Sequence, residues 1–131
     1  MANGTIAFDT LSTSGQITGT AKSVDTDYVV NGSAKSWVKS IGDGTPTISV
    51  SFNIASLTDN DTGDQSYTYT NGMSSSNYVS MATAIDDDTA VTVQNLNADT
   101  SALTRVHSHQ DSDGAAIDTD GKNITVMGEL A

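Results

Sequence analysis

The sequence has no cysteine, one proline and seven aromatic side chains among its 131 residues. The missing cysteines exclude a disulfide framework and thiolate chemistry. No run approaches the ~20 apolar residues that a membrane-spanning helix needs. The first ten residues, MANGTIAFDT, lack the basic and apolar regions of a secretory signal. We therefore expect no membrane insertion, and release from the producing cell by a route other than a classical signal.

Basic residues are also scarce. Five Lys and Arg face sixteen Asp and Glu, which gives a formal net charge of −11. Nucleic acids and anionic membrane surfaces are disfavoured as partners, because binding to them depends on clustered Lys and Arg. Fifteen of the acids are Asp and one is Glu. Asp is common in turns whereas Glu favours helices, so the acid type itself indicates loops between strands.

The residues that remain show strand periodicity. In TISVSFNIASL, Ile48, Val50, Phe52 and Ile54 alternate with polar residues, and similar pairs are Tyr67 with Tyr69, Val79 with Met81, and Ile124 with Val126. Asp-Gly and Asn-Gly turn signals separate such runs about every 8–12 residues, the spacing of a β-sandwich or a β-barrel. We predict an all-β head, built as an antiparallel, jelly-roll-like β-sandwich. Trp37, the largest apolar side chain, is expected in its core.

The N-terminal segment has a different character. Residues 1–30 are rich in Thr, Ser and Gly and show no paired apolar positions. We predict an extended arm over residues 1–30, which anchors the protein and orders on assembly, and a head over residues 31–131.

The sequence offers little for catalysis. A serine nucleophile needs a base, and only His107 and His109 are available, neither of them in a G-x-S-x-G context. Paired carboxylates of a glycosidase usually work beside aromatic rings, and the core needs several of the few rings present. We predict a protein without enzymatic activity and without a cofactor.

Two acidic stretches resemble calcium loops. Asp59 and Asp61 in DNDTGD, and Asp118 and Asp120 in DTDG, place oxygen atoms at alternate positions. No Glu follows at the twelfth position of an EF-hand loop. A turn in which Asp bonds nearby backbone accounts for both stretches equally well. These four residues are minor metal candidates, and the favoured prediction is an ordinary turn.

The two histidines lie in LTRVHSHQ, which alternates as a strand. His107 and His109 then share one face with Arg105, while Val106 points to the core. We expect residues 102–110 to pair with residues 123–127 as antiparallel neighbours. Three copies around an axis would collect six imidazoles, enough for an octahedral transition metal. Because three arginines would accompany them, the histidines remain minor candidates and we predict no bound metal.

One extended stretch resembles a known family. The motifs are AKSWV at 34–38, GDG at 42–44, SFNIASLTDNDTGD at 51–64, YTY at 67–69, MSSSNY at 73–78 and ITVMGEL at 124–130. Their order resembles a β-rich module at the C-terminal end of bacteriophage tail fibre and related virion proteins, especially of marine phages. The match is clearest over residues 31–84.

The resemblance implies a viral structural protein, assembled in the host cytoplasm and carried on the virion. It would be a short tail fibre or tip, or a capsid-surface fibre, usually homotrimeric. The N-terminal arm would contact other virion proteins, and the head would attach to a host-surface receptor or glycan. Two alternatives are open: a calcium-dependent carbohydrate-binding module, and a self-assembling surface filament subunit.

Overall fold

The computed structural model describes residues 16–18, 23–86, 90–95 and 100–131. The elements in chain order are β1 (Gln16–Thr18), β2 (Ser23–Asp25), α1 (Thr26–Gly32), β3 (Ala34–Ile41), β4 (Thr47–Phe52), β5 (Ile54–Asp61), β6 (Asp64–Tyr69), β7 (Val79–Ile85), β8 (Val91–Asn95), β9 (Leu103–Gln110) and β10 (Gly121–Met127).

Eight of these strands form two antiparallel sheets of four. One sheet has the order β4-β3-β10-β7 and the other the order β5-β6-β9-β8. β1 and β2 pair with each other as a separate two-stranded ribbon. The prediction of an all-β fold is confirmed, and the two sheets form a β-sandwich.

The core lies between the two sheets because each contributes one apolar face. Its buried residues are Val38, Tyr67, Tyr69, Met73, Val106, Ile124 and Val126. Tyr67 and Tyr69 share the inner side of β6, as their spacing predicted, and Ile124 and Val126 do the same on β10. The core is small, and polar residues such as Ser40, Thr104 and Ser108 are fully buried beside it.

A single residue carries the chain from one sheet to the other. Asn53 separates β4 from β5 and adopts a left-handed backbone conformation, with φ of 57°. Its side-chain Nδ2 donates to the carbonyl oxygens of Lys35 and Asn71, each at 3.0 Å. Asn tolerates positive φ better than most residues do. The run TISVSFNIASL is therefore two strands in different sheets, and its alternation ends at Asn53.

Two expectations are wrong. Trp37 is not in the core: it lies on the outer side of β3, 39% exposed, and stacks on Phe52 with ring centroids 6.5 Å apart. The neighbouring position Val38 points inward and is buried instead. β9 and β10 are not neighbours, since β9 pairs with β6 and β8, and β10 pairs with β3 and β7.

The predicted N-terminal arm is described in part. The ribbon of β1 and β2 falls within residues 1–30, and the predicted boundary at residue 30 falls inside α1. Residues 1–15 and 19–22 lie outside the described residues, so the division into arm and head stays a prediction. No helix in the described part of the chain is long and apolar enough to cross a membrane.

Candidate functional site

The outer side of the β5-β6-β9-β8 sheet is polar, and we call it the polar face. Its side chains are Asp64, Ser66, Thr92, Gln94, Arg105, His107 and His109. β9 supplies three of them because its residues alternate between the two sides of the sheet. Thr104, Val106 and Ser108 point inward and are fully buried. The prediction that His107, His109 and Arg105 share a face opposite Val106 is confirmed.

An ion pair stabilises the middle of the polar face. Asp64 accepts hydrogen bonds from Nε of Arg105 at 2.8 Å and from Nη2 of the same side chain. It also accepts one from Nδ2 of Asn60 at 3.2 Å. The Arg105 hydrogen bonds hold the pKa of Asp64 below its ordinary value of 3.8, although burial acts in the opposite direction. Asp64 thus neutralises the charge of Arg105 within the chain. Repulsion by Arg105 is therefore a weaker reason to exclude a metal cation at the histidines than the sequence suggested.

The two imidazoles lie against each other at one end of this face. Their ring centroids are 4.1 Å apart and their planes meet at 62°. Nε2 of His107 is 3.2 Å from the carbonyl oxygen of Thr62, and Nδ1 of His109 is 3.1 Å from that of Gly114. A ring nitrogen that faces a carbonyl carries the proton. In the neutral form, each ring would then have one acceptor nitrogen, Nδ1 in His107 and Nε2 in His109.

These two acceptors do not make a metal centre by themselves. Catalytic zinc is usually held by three protein ligands and structural zinc by four. Among the described residues, no group of three or more His, Cys, Asp or Glu side chains is arranged to hold a metal ion. The absence of a bound metal remains a prediction.

A cleft of about 390 Å³ opens beside His109, and we call it the imidazole cleft. It is lined by Thr92, Gln94, His109, Gln110, Asp111 and Gly114. Oγ1 of Thr92 donates to Oδ1 of Asp111 at 2.5 Å, which connects β8 to the turn that follows β9. The lining offers a ring nitrogen, an amide and a carboxylate. Such groups form hydrogen bonds with a polar ligand.

Sequence reasoning missed the β8 residues of this cleft. The alternation of VTVQN already places Thr92 and Gln94 on the side opposite Val91 and Val93. What the sequence does not show is that β8 pairs with β9, with Thr92 opposite His109 and Gln94 opposite His107. That long-range pairing creates the cleft.

The four acidic candidates do not all line one cleft. Asp118 and Asp120 line a second cleft of about 430 Å³ together with Asp43, Thr62, Asp86, Ala116 and Ile117, whereas Asp59 and Asp61 are not part of that lining. Oδ1 of Asp61 accepts from the amide of Thr62 at 2.8 Å. Oδ1 of Asp118 accepts from the amide of Gly63 at 2.7 Å. These two carboxylates stabilise turns.

The Asp118 contact fixes the turn between β5 and β6 to the loop before β10. Gly63 has φ of +70°, and a Cβ atom there would lie 2.7 Å from the carbonyl oxygens of Ile117 and Ser108. The hydroxyl of Ser108 donates to Ile117 and Gly63 at 2.7 and 3.2 Å. Only glycine fits this crowded position. The turn between β5 and β6 is therefore closely packed against β9 and the loop before β10.

One lysine is buried in the interior of the fold, and no pattern in the sequence indicates its burial. Lys122 on β10 is fully buried, and its Nζ has no hydrogen-bond partner among the described residues. Burial lowers the pKa of this ammonium group, while the charges of Asp118, Asp59 and Asp64 act in the opposite direction. Nearby, Tyr67 bonds Ser40 and Gln65 at 2.9 and 2.6 Å, and burial raises its pKa to about 12.

Comparisons with protein-family models, curated proteins and solved structures found no match to this chain.

Proposed function

We propose that this protein is a structural domain of a bacteriophage virion that contacts the host surface, as a short tail fibre, a tail tip or a capsid-surface fibre. The observation that carries the proposal is the imidazole cleft on the β5-β6-β9-β8 sheet. A polar cleft on a stiff β scaffold can bind a polar surface group, such as a sugar hydroxyl, without moving.

The hydrogen bonds of the histidines support binding rather than catalysis. Among the described residues, both imidazoles are within hydrogen-bond distance of backbone carbonyl groups, and neither is hydrogen-bonded to a hydroxyl nucleophile. A triad requires a base hydrogen-bonded to the nucleophile that it activates. We therefore propose a non-enzymatic role.

The proposal includes a jelly-roll arrangement of the strands. Eight strands in two sheets of four is the strand number of a jelly roll. The proposal also includes a homotrimer, attachment to other virion proteins through residues 1–30, and assembly in the host cytoplasm. The motif order quoted above supports these features.

The alternative of a calcium-dependent carbohydrate-binding module has one observation in its favour, the cleft lined by Asp43, Asp86, Asp118 and Asp120. Against it, the carboxylate of Asp118 already accepts the amide of Gly63. A calcium requirement for binding separates the two functions. Particles or filaments formed by the purified chain alone would indicate the filament subunit.

The test is adsorption of the fluorescently labelled protein to intact cells of a panel of bacterial strains, measured by flow cytometry with and without EDTA. We expect saturable binding to a subset of strains that EDTA does not change. Thr92→Ala and Gln94→Ala should reduce it at least fivefold. Thr58→Ala is the matched control, because Thr58 is an exposed threonine on β5 of the same sheet, outside the cleft.

Three results would contradict the proposal. They are equal binding to all strains, binding abolished by EDTA, and full binding by both cleft variants. Genes for virion assembly proteins next to the coding sequence are expected as independent support.

A further inference from the structure

The turn that follows β9 forms one wall of the imidazole cleft and places a carboxylate there. Two backbone hydrogen bonds close this turn: the amide of Gly114 donates to the carbonyl oxygen of Gln110 at 2.9 Å, and the amide of Gln110 donates to that of Ala115 at 2.8 Å. The amide of Asp111 donates to the carbonyl oxygen of Ala90, just before β8, at 3.0 Å. These contacts hold the turn beside β8, with Asp111 in the lining of the cleft.

The carboxylate of Asp111 is oriented by a threonine on the neighbouring strand. Its Oδ1 accepts the hydrogen bond from Oγ1 of Thr92, and Thr92 lies opposite His109 in the pairing of β8 with β9. Among the described residues, no basic side chain forms an ion pair with Asp111, and the guanidinium of Arg105 pairs with Asp64 instead. Asp111 is also exposed. Its negative charge is therefore positioned at the cleft and open to a ligand.

The lysines in the described part of the chain lie away from this carboxylate. Lys35 and Lys122 are buried, and Lys39 is exposed on the outer side of the other sheet. Lys22 lies outside the described residues. An anionic ligand, such as a uronic acid or a phosphorylated sugar, would thus meet Asp111 without a described lysine or arginine to offset the repulsion between like charges. The cleft therefore disfavours acidic ligands.

A neutral ligand would leave the carboxylate without a countercharge. Covering a carboxylate removes water from it, which costs free energy unless the charge is paired. A ligand ammonium group pairs with it through a charge-assisted hydrogen bond, which is stronger than a hydrogen bond between neutral groups. The net charge of −11 also raises the local concentration of cations. Charge therefore favours a ligand that carries an amine.

The rest of the lining favours a sugar over a simple amine. An ammonium group has three donors and no acceptor, so oxygen acceptors alone satisfy it. The cleft also presents the side-chain amides of Gln94 and Gln110 and the imidazole of His109. These groups can both donate and accept hydrogen bonds, as the ring hydroxyls of a sugar can. The volume of about 390 Å³ lies within the ~300–1,000 Å³ typical of small-molecule sites. The lining thus matches an amine surrounded by hydroxyl groups.

We infer that the imidazole cleft binds a sugar with an unacetylated amino group, whose ammonium pairs with Asp111 while neighbouring hydroxyls bond Gln94 and His109. This inference rests on the proposed function, because it names the chemical class of the surface group that the same cleft recognises. Thr92 acts as a positioning residue, since its hydroxyl orients the carboxylate.

Titration with single sugars, followed by the NMR shifts of backbone amides, tests the inference. The probes are the methyl glycosides of glucosamine, N-acetylglucosamine and glucuronic acid, which share a glucose-type ring and differ in charge. At pH 7 we expect the glucosamine glycoside to give saturable shifts at Thr92, Gln94 and Gly114. Affinity for the N-acetylated sugar should be at least fivefold weaker, and the acid should not bind.

Substitution of carboxylates separates the site from the overall charge of the chain. Asp111→Asn keeps an oxygen that accepts from Thr92 but removes the charge, and should reduce the preference for the amino sugar to less than twofold. Asp113→Asn is the matched control, because it removes the same charge from the same turn outside the cleft lining, and it should keep the full preference. Thr92→Ala should weaken binding of the amino sugar at least threefold, whereas Thr92→Ser should retain it.

Three results would overturn the inference: no shift with any sugar, equal affinity for the amino and N-acetylated sugars, or the same loss of preference in Asp111→Asn and Asp113→Asn. Equally tight binding of Nα-acetyl-lysine amide would overturn the choice of a sugar, because the cleft would then recognise an ammonium alone. Cell adsorption distinguishes the two proposals. Adsorption by a protein that is indifferent to the amine removes the amino sugar alone. Amine-selective binding by a protein that adsorbs to no strain removes the proposed host contact alone.

Discussion

The outer faces of the two sheets differ in chemistry although the inner faces share one core. The outer side of the β4-β3-β10-β7 sheet exposes Trp37, Phe52 and Met81 on strands free of acidic residues. The polar face carries the Asp64–Arg105 ion pair and the two imidazoles. In this protein, a strand with alternating polar and apolar residues therefore does not always bury its apolar side. In β9 the apolar Val106 faces the core, whereas in β7 the apolar Val79 and Met81 face outward.

The largest loss of stability is expected from a substitution on the inner side of the β4-β3-β10-β7 sheet, compared with one on its outer side. Ile124→Ala removes a side chain that is 2% exposed and should lower the free energy of unfolding by about 2–5 kcal/mol. Met81→Ala, at a position 53% exposed, should change it by less than about 1 kcal/mol. Urea unfolding at low protein concentration measures both. Equal decreases in the free energy of unfolding would refute the assignment of Ile124 to the inner side and Met81 to the outer side of the sheet.

A second prediction concerns the polar part of the shared interior. Lys122→Met replaces a buried ammonium that has no described partner with an apolar side chain of similar length. We expect the free energy of unfolding to rise by about 1–3 kcal/mol at neutral pH. Lys35→Met should not stabilise the protein, because Nζ of Lys35 donates to the Ser33 hydroxyl at 2.6 Å.

The gain from Lys122→Met should depend on pH. The pKa of Lys122 is lower in the folded protein than its ordinary value of 10.5, so the folded state penalises its charged form. That penalty is complete below the lowered pKa, decreases as the pH rises, and vanishes above 10.5. Denaturant unfolding of both proteins from pH 7 to 11 should show the difference shrink. A difference that stays constant would mean that burial of the charge is not its cause.

A third prediction tests the ion pair of the polar face. Asp64→Asn should lower the melting temperature at pH 7 by a few degrees, because the substitution removes the charged partner of Arg105. The pKa of Asp64 is lowered by folding, so its contribution is present above pH 3.8 and is lost as the pH falls through the lowered pKa. The two melting temperatures should therefore converge as the pH falls below 3.8 and through the lowered pKa of Asp64. Asp61→Asn, at an exposed turn carboxylate, should have a smaller effect at every pH.

The smallest effect is expected at the imidazoles. His107→Ala combined with His109→Ala should leave the melting temperature nearly unchanged, since both rings are partly exposed and each contacts one backbone carbonyl. Elemental analysis of protein purified without a His tag should find no bound transition metal. A metal that is present in the original protein and lost from the double variant, with a large drop in melting temperature, would contradict this prediction.

The sequence alone determined the local features. Period-two alternation and Asp-Gly turns predicted the strands, because side chains of a strand point to opposite sides whatever the strand packs against. The same rule placed Arg105, His107 and His109 on one side of β9. The Asp-rich stretches were predicted as turns. Asp118 lies in the loop before β10 and accepts a backbone amide, as that prediction requires. Asp59 and Asp61 instead belong to strand β5, and the turn that follows is limited to Thr62 and Gly63.

Only the tertiary structure decided which side of each strand is inside. Trp37 and Val38 are adjacent and both apolar, and long-range pairing turns Val38 to the core and Trp37 outward. The separation of β9 from β10, the imidazole cleft and the burial of Lys122 arise in the same way. Each depends on which strands pair across dozens of residues, and that choice is made by the packing of the whole sandwich rather than by any local run of the chain.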